Sequence, residues 1–197
     1  MTGRLNVPVM KQENPTIIAL DYLRPLTESS WTRYVRDHLG YGSISAGAKA
    51  LLDGNGADGL MIDTPFETEY PWQGLKVIDE IRAAIHPKIL MPNFGDADTW
   101  MGRTSVAKAL AGFTDWHLVE MWIDLQRYTL AQAAMRVQAV EKALANGKEL
   151  VLGLYDNGQK FPQKAAQFAA HWPDRVYWTY KISTTKFELG IPVTVVP

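Results

Sequence analysis

The stretch Gly59-Leu60-Met61-Ile62-Asp63, entered through Gly56-Ala57-Asp58, decides how the rest of this chain reads. Its apolar residues run without a polar interruption and stop on a carboxylate. A strand with one face in water alternates polar and apolar side chains. A continuous run of this length instead predicts a strand buried on both faces, as in a parallel sheet covered by helices.

The same design recurs on both sides. Ile89–Asn93, His117–Glu120, Leu150–Tyr155 and Val176–Tyr180 follow it, and Thr16–Asp21 precedes it. Between the runs lie helical spacings. Ser45 to Asp53 predicts a helix closed by Gly54 or Gly56, and Leu75, Ile78, Ile81 and Ile85 predict one that stops at His86-Pro87. Thr129 and Gln132 have capping-box spacing ahead of the stripe Leu130, Ala133, Val137, Val140 and Leu144. Further helices are expected around Trp31 to Leu39, Thr104 to Ala111 and Pro162 to His171.

Strand-helix alternation with buried strands predicts an α/β fold of parallel β/α repeats, TIM-barrel-like, in a single domain over residues 1–197. An open doubly wound sheet is the alternative. Asp21 and Tyr180 lie 159 residues apart, which makes five intervals of about 32. Eight such units would need ~250 residues. The chain is therefore short by one or two units, with Leu5–Val9 a candidate extra strand. Self-association or a partner chain would complete an unfinished barrel.

Composition excludes several functions. The formal net charge of -1 and the lack of a Lys/Arg run offer no footprint for nucleic acid or an anionic membrane. With no cysteine, thiolate nucleophiles, thiolate metal sites and disulfides are out. No apolar run reaches the ~18 residues of a membrane span, and the polar start MTGRLNVPVM does not read as a secretory signal, which leaves the compartment open. The four histidines lack metal spacing, and Asp96 with Asp98 lacks the rest of a calcium loop, so neither metal nor cofactor is expected. His86 and His171 read as residues near helix C-termini.

What ends each strand is the functional signal. The termini read Asp21-Tyr22, Asp63-Thr64, Asn93-Phe94-Gly95, Glu120-Met121-Trp122 and Tyr155-Asp156-Asn157. In a parallel β/α fold, strand C-termini share one edge, so residues far apart in sequence converge there. Each taken alone also reads as a helix cap or turn residue.

Four of these strands together resemble glycoside-hydrolase β/α-barrel families. Gly56–Asp63 is similar to their Asp-delivering strand, Ile89–Gly95 to the next, His117–Trp122 to their Glu-delivering strand, and Ala19–Tyr22 to an earlier one. The resemblance implies cleavage of an oligo- or polysaccharide by two carboxylates. Asp63 would be nucleophile or base and Glu120 the general acid. Asp21, Asn93, Tyr155 and Asp156 would bind sugar hydroxyls, and Tyr22, Phe66, Trp100 and Trp122 would be stacking surfaces. Trp31, Trp172 and Trp178 read as packing. A non-catalytic carbohydrate-binding or structural module on the same scaffold is the rival.

Overall fold

The computed structural model describes residues 7–16, 18–23, 44–63, 71–93, 95–102, 105, 108–109, 112, 114–144, 149–154, 162–172, 176–178, 181–182 and 187–188. Its elements run α1 (Val7–Glu13), β1 (Leu20–Leu23), α2 (Ile44–Asn55), β2 (Gly59–Asp63), α3 (Pro71–Ile85), β3 (Ile89–Asn93) and α4 (Ala97–Gly102). They continue with β4 (Trp116–Val119), α5 (Met121–Arg127), α6 (Leu130–Leu144), β5 (Glu149–Gly153), α7 (Pro162–His171), β6 (Val176–Trp178), β7 (Lys181–Ile182) and β8 (Phe187–Glu188). The expected helix around Trp31 lies outside the described residues, and of the one expected from Thr104 to Ala111 only scattered positions are described.

The chain forms two compact units. The first is Met1–Asn93 with Ala109–Trp116, and the second is Phe94–Lys108 with His117–Pro197. Strand order follows the chain in each, β1-β2-β3 in the first and β4-β5-β6 in the second. The fold class is α/β, built of parallel β/α repeats and TIM-barrel-like. The short β7–β8 ribbon, antiparallel, was not foreseen in the sequence.

In the first unit, β1, β2 and β3 pair in parallel with Leu20, Gly59 and Ile89 at one level and Tyr22, Met61 and Met91 two residues on. Leu60, Ile62 and Leu90 are fully buried, and Met61 and Met91 are nearly so, although neighbours in a strand point to opposite faces. Both faces are thus covered, as the unbroken apolar runs predict. Gly59 is required where it stands: a Cβ there would overlap the Ile89 carbonyl of the adjacent strand. Gly56, at φ 72, closes α2 in the left-handed conformation, and its N–H donates to the Leu52 carbonyl at 3.1 Å.

Charged side chains tie the N-terminal side of this sheet. Arg82 on α3 donates to both Asp115 oxygens at 2.7 and 2.9 Å and to the Lys88 carbonyl at 2.7 Å. The Asp115 carboxylate also accepts the Leu90 N–H at 2.9 Å, so one ion pair fixes the entry to β3. Asp58 holds Lys11 of α1 at 2.5 Å and the Ala19 N–H at 2.9 Å.

Of the expected extra strand Leu5–Val9, the described part, Val7–Val9, is helix and not strand. From Val7 the chain is helical, with Pro8 in the first turn, where its missing N–H and fixed φ are tolerated. Val7 is buried and Lys11, one turn on, reaches Asp58. A segment of five residues, Leu5-Asn6-Val7-Pro8-Val9, is too short to distinguish the two states by periodicity.

In the second unit the capping box forms as predicted. Gln132 N–H donates to Thr129 Oγ1 at 3.3 Å, and Thr129 N–H donates to Gln132 Oε1 at 3.0 Å. Ala133, Val137, Val140 and Leu144 form the buried stripe of α6. Trp172 packs edge-on against Phe168 with centroids 5.1 Å apart, a packing residue as expected.

Candidate functional site

The register of β2 and β3 sets the first part of the candidate site. Asp63 is aligned with Asn93, each the last residue of its strand. The two positions therefore fall on the same face of the sheet and at its C-terminal edge, ~4.8 Å apart across the ladder. Asn93 is 2% exposed, a polar side chain in a buried setting.

Which face this is follows from Asp21. Its carboxylate accepts a hydrogen bond from Asn55 Nδ2, on the last residue of α2, so Asp21 faces the helix layer. Asp21 is aligned with Leu60 of β2, and Leu60 lies three residues before Asp63. An odd offset of three moves to the opposite face and ~10 Å along the strand. Asp63 and Asn93 thus occupy positions on the face turned away from α2, as inward-facing barrel positions do. Asp21, expected to contact substrate, instead anchors the strand to its helix and is 6% exposed.

In the second unit, Glu120 directly follows β4 and is the cap residue of α5, with φ -77 and ψ 74. Its side chain makes no capping hydrogen bond. Its backbone N–H donates to the Gly95 carbonyl at 2.8 Å. Gly95, at φ 87, holds a conformation that side-chain-bearing residues avoid, which lets its carbonyl turn toward Glu120. Gly153 of β5 lies beside the same junction: a Cβ there would meet the Val119 carbonyl at 3.4 Å and Glu120 Cα at 3.7 Å. Two glycines thus frame the backbone that carries Glu120.

Among the aromatic residues, Trp100 is a core residue and not a stacking platform. It is 2% exposed, its indole N–H donates to the Leu118 carbonyl at 3.3 Å, and its ring meets His117 edge-on at 5.2 Å. Trp122 is half-buried in the first turn of α5. Phe66, Tyr155 and Asp156, and the side chains of Tyr22 and Asp63, lie outside the described residues.

The sequence reading missed a charged network at α4, α5 and α6. Asp96 caps α4, accepting the Thr99 N–H at 2.9 Å and hydroxyl at 2.6 Å, and pairs with Arg127 at 2.7 Å. Asp98 accepts the Tyr128 hydroxyl at 2.6 Å and faces Arg136 Nε at 3.2 Å. Asp124, fully buried on α5, accepts the Ala97 N–H at 3.1 Å. Burial pushes its carboxyl up to about 6. Asp96 and Asp98 add to the rise, while the Ala97 N–H and Arg136 oppose it. The signal in the sequence was an acid, Asp124, between the apolar Ile123 and Leu125, on a stretch beyond the strand terminus Glu120-Met121-Trp122 for which no element was expected. Among the described residues, no cluster of His, Asp and Glu could hold a metal ion, and no helix is long and apolar enough to cross a membrane.

No known protein family matches the chain, and no curated protein matches it. Among solved structures, the chain is similar to KGPDC from Streptococcus mutans at 20% identity and a TM-score of 0.38. The match covers 64% of this chain and 55% of that one, so the chain spans little more than half of that neighbour's length. That neighbour is a 3-keto-L-gulonate-6-phosphate decarboxylase and not a glycoside hydrolase. This corrects the expected glycoside-hydrolase membership, and with it the expected action on, or binding of, a polysaccharide. The physical reason is plain. An apolar run that ends on Asp or Glu is what any buried parallel strand looks like where it emerges into a loop, so the motif marks the architecture and not a reaction.

Proposed function

We propose that this chain is an acid–base enzyme domain acting on a small polar molecule at the C-terminal ends of its parallel strands. Asp63 at the strand ends of the first unit and Glu120 at those of the second are the candidate proton-transfer groups, each within its own unit, and Asn93 beside Asp63 is a hydrogen-bonding partner of the substrate. The observation that carries this reading is the alignment of Asp63 with Asn93 at the C-terminal edge, on the face opposite Asp21. That edge is where β/α-barrel enzymes place their chemistry. A buried amide beside a carboxylate position suits recognition of a polar group that must shed its water. The glycines around Glu120 support the second assignment, since they hold its backbone where strand β4 ends. Tyr22 and Phe66 in the first unit, and Trp122, Tyr155 and Asp156 in the second, remain proposed substrate contacts on their place in the sequence alone.

The test is a panel of small hydroxy acids, keto acids and amino acids in deuterated buffer, followed by proton NMR for turnover or for exchange of carbon-bound hydrogen. General acid–base groups contribute ~10²–10⁴-fold. A compound processed by the wild type and at least ~100-fold more slowly by Asp63→Asn or by Glu120→Gln supports the assignment for that unit. A compound processed equally by all three proteins overturns it.

A further inference from the structure

The network around Asp124 holds a mismatch. One oxygen of this fully buried carboxylate accepts the Ala97 N–H, whereas the other, Oδ1, has no hydrogen bond. Oδ1 faces Arg136 Nε at 3.7 Å, and that Nε is itself buried without a hydrogen bond. The gap is too long for a hydrogen bond and too short for an intervening water. Arg136 meanwhile has a second acid within reach, Asp98 at 3.2 Å, and its guanidinium lies over the Tyr128 ring at 3.5 Å. Arg136 therefore stands between two carboxylates, one buried and one half-exposed.

We propose that Asp124 is a proton-operated latch that couples the start of α4 to α6 through Arg136. With Asp124 ionised, Arg136 is shared between Asp124 and Asp98, and α6 is held to the Ala97 end of α4. When Oδ1 takes up a proton it becomes a donor facing a donor, Arg136 Nε. Its attraction is lost and Arg136 passes to Asp98. Every neighbouring element contributes charge to this balance. Asp96 and Asp98 face it from α4 and its cap, and Arg136 faces it from α6. Arg127, Tyr128 and Glu120 sit on or beside α5 itself, and Lys164 of α7 donates to the Leu125 and Tyr128 carbonyls at 2.5 Å each. The latch acts on the segment whose Gly95 carbonyl holds Glu120, but it stands on the geometry of this unit whatever the substrate is.

The experiment is an NMR titration of the intact chain from pH 4.5 to 7.5. It follows the Asp124 carboxyl carbon, the Ala97 amide and the Arg136 Nε–H. All three should move together with one midpoint near 6. In Asp124→Asn the shifts of Ala97 and Arg136 at that midpoint should vanish. Asp98→Asn, which removes a like charge at an exposed position, should lower the midpoint. Arg136→Gln should raise it. The latch is overturned if Ala97 and Arg136 do not move with Asp124, if they still titrate in Asp124→Asn, or if Asp98→Asn leaves the midpoint unchanged.

Discussion

The backbone N–H of Glu120 donates to the carbonyl of Gly95 at 2.8 Å, joining the residue after strand β4 to the segment that leads into α4. The Glu120 backbone is thereby placed by another residue's main chain, so its position depends on Gly95 keeping φ 87.

Gly95→Ala should therefore cost about 1–2 kcal/mol, the penalty of a left-handed conformation for a residue with a Cβ. The space itself is open, since the nearest atom to an added Cβ is Thr99 Oγ1 at 3.9 Å. Thermal unfolding should show the loss, and the Glu120 amide should lose protection from hydrogen exchange. Unchanged protection would mean that this hydrogen bond does not hold Glu120.

Gly59→Ala tests close approach and not backbone conformation. Here the added carbon would overlap the Ile89 carbonyl, so β2 and β3 must move apart. A loss of ~1–3 kcal/mol is expected in denaturant unfolding, as for other overpacked cores. Because Asp63 and Asn93 lie further along the same two strands, the variant should also weaken any ligand bound there.

Arg82→Lys should destabilise by about 1–3 kcal/mol although the charge is kept. The fork that grips both Asp115 oxygens and the Lys88 carbonyl cannot be reproduced by a single ammonium. The Asp115 carboxylate, which also accepts the Leu90 N–H, would be left partly unmet. A double-mutant cycle with Asp115→Asn measures the coupling, and a value near zero would sink the argument.

Asp124 predicts an unusual pH dependence. Its carboxyl titrates near 6 in the folded chain against 3.8 as a free side chain, so between these values the native state binds the extra proton. Stability from this group is complete below about pH 4 and is lost as pH rises through 6. Two pKa units correspond to about 3 kcal/mol, an upper bound for a single group. Asp124→Asn should therefore gain on the wild type as pH rises from 4 to 7, seen as diverging unfolding midpoints. Asp58 acts in the other direction. Burial raises its pKa, but the hydrogen bonds from Lys11 and Ala19, with the Lys11 and Lys88 charges, leave it lowered overall. Its contribution is present above pH 4 and is lost in acid. Parallel wild-type and Asp124→Asn curves would remove the Asp124 prediction.

The local features that the chain carries within a few residues were legible in advance. The strands Gly59–Asp63 and Ile89–Asn93, and the helix Pro162–His171, fall at their expected bounds. The Thr129–Gln132 capping box forms because its partners are three residues apart. Where signals were short or absent, the reading failed. Leu5–Val9 is too brief to separate strand from helix, and the helices Ala97–Gly102 and Met121–Arg127 are too short to show a period.

Sequence by itself determined the class of fold, because unbroken apolar runs ending on polar residues have few stable arrangements other than a covered parallel sheet. It could not rank those polar residues. Asp21 and Asp63 look alike on paper, but the register of three strands puts them at opposite faces, one bonded to Asn55 and the other beside Asn93. Nor could it show that Asp124 meets Ala97 and Arg136, residues brought to it only by helix packing. A side chain's chemistry depends on its neighbours and its access to water, and both are decided by contacts between segments distant along the chain.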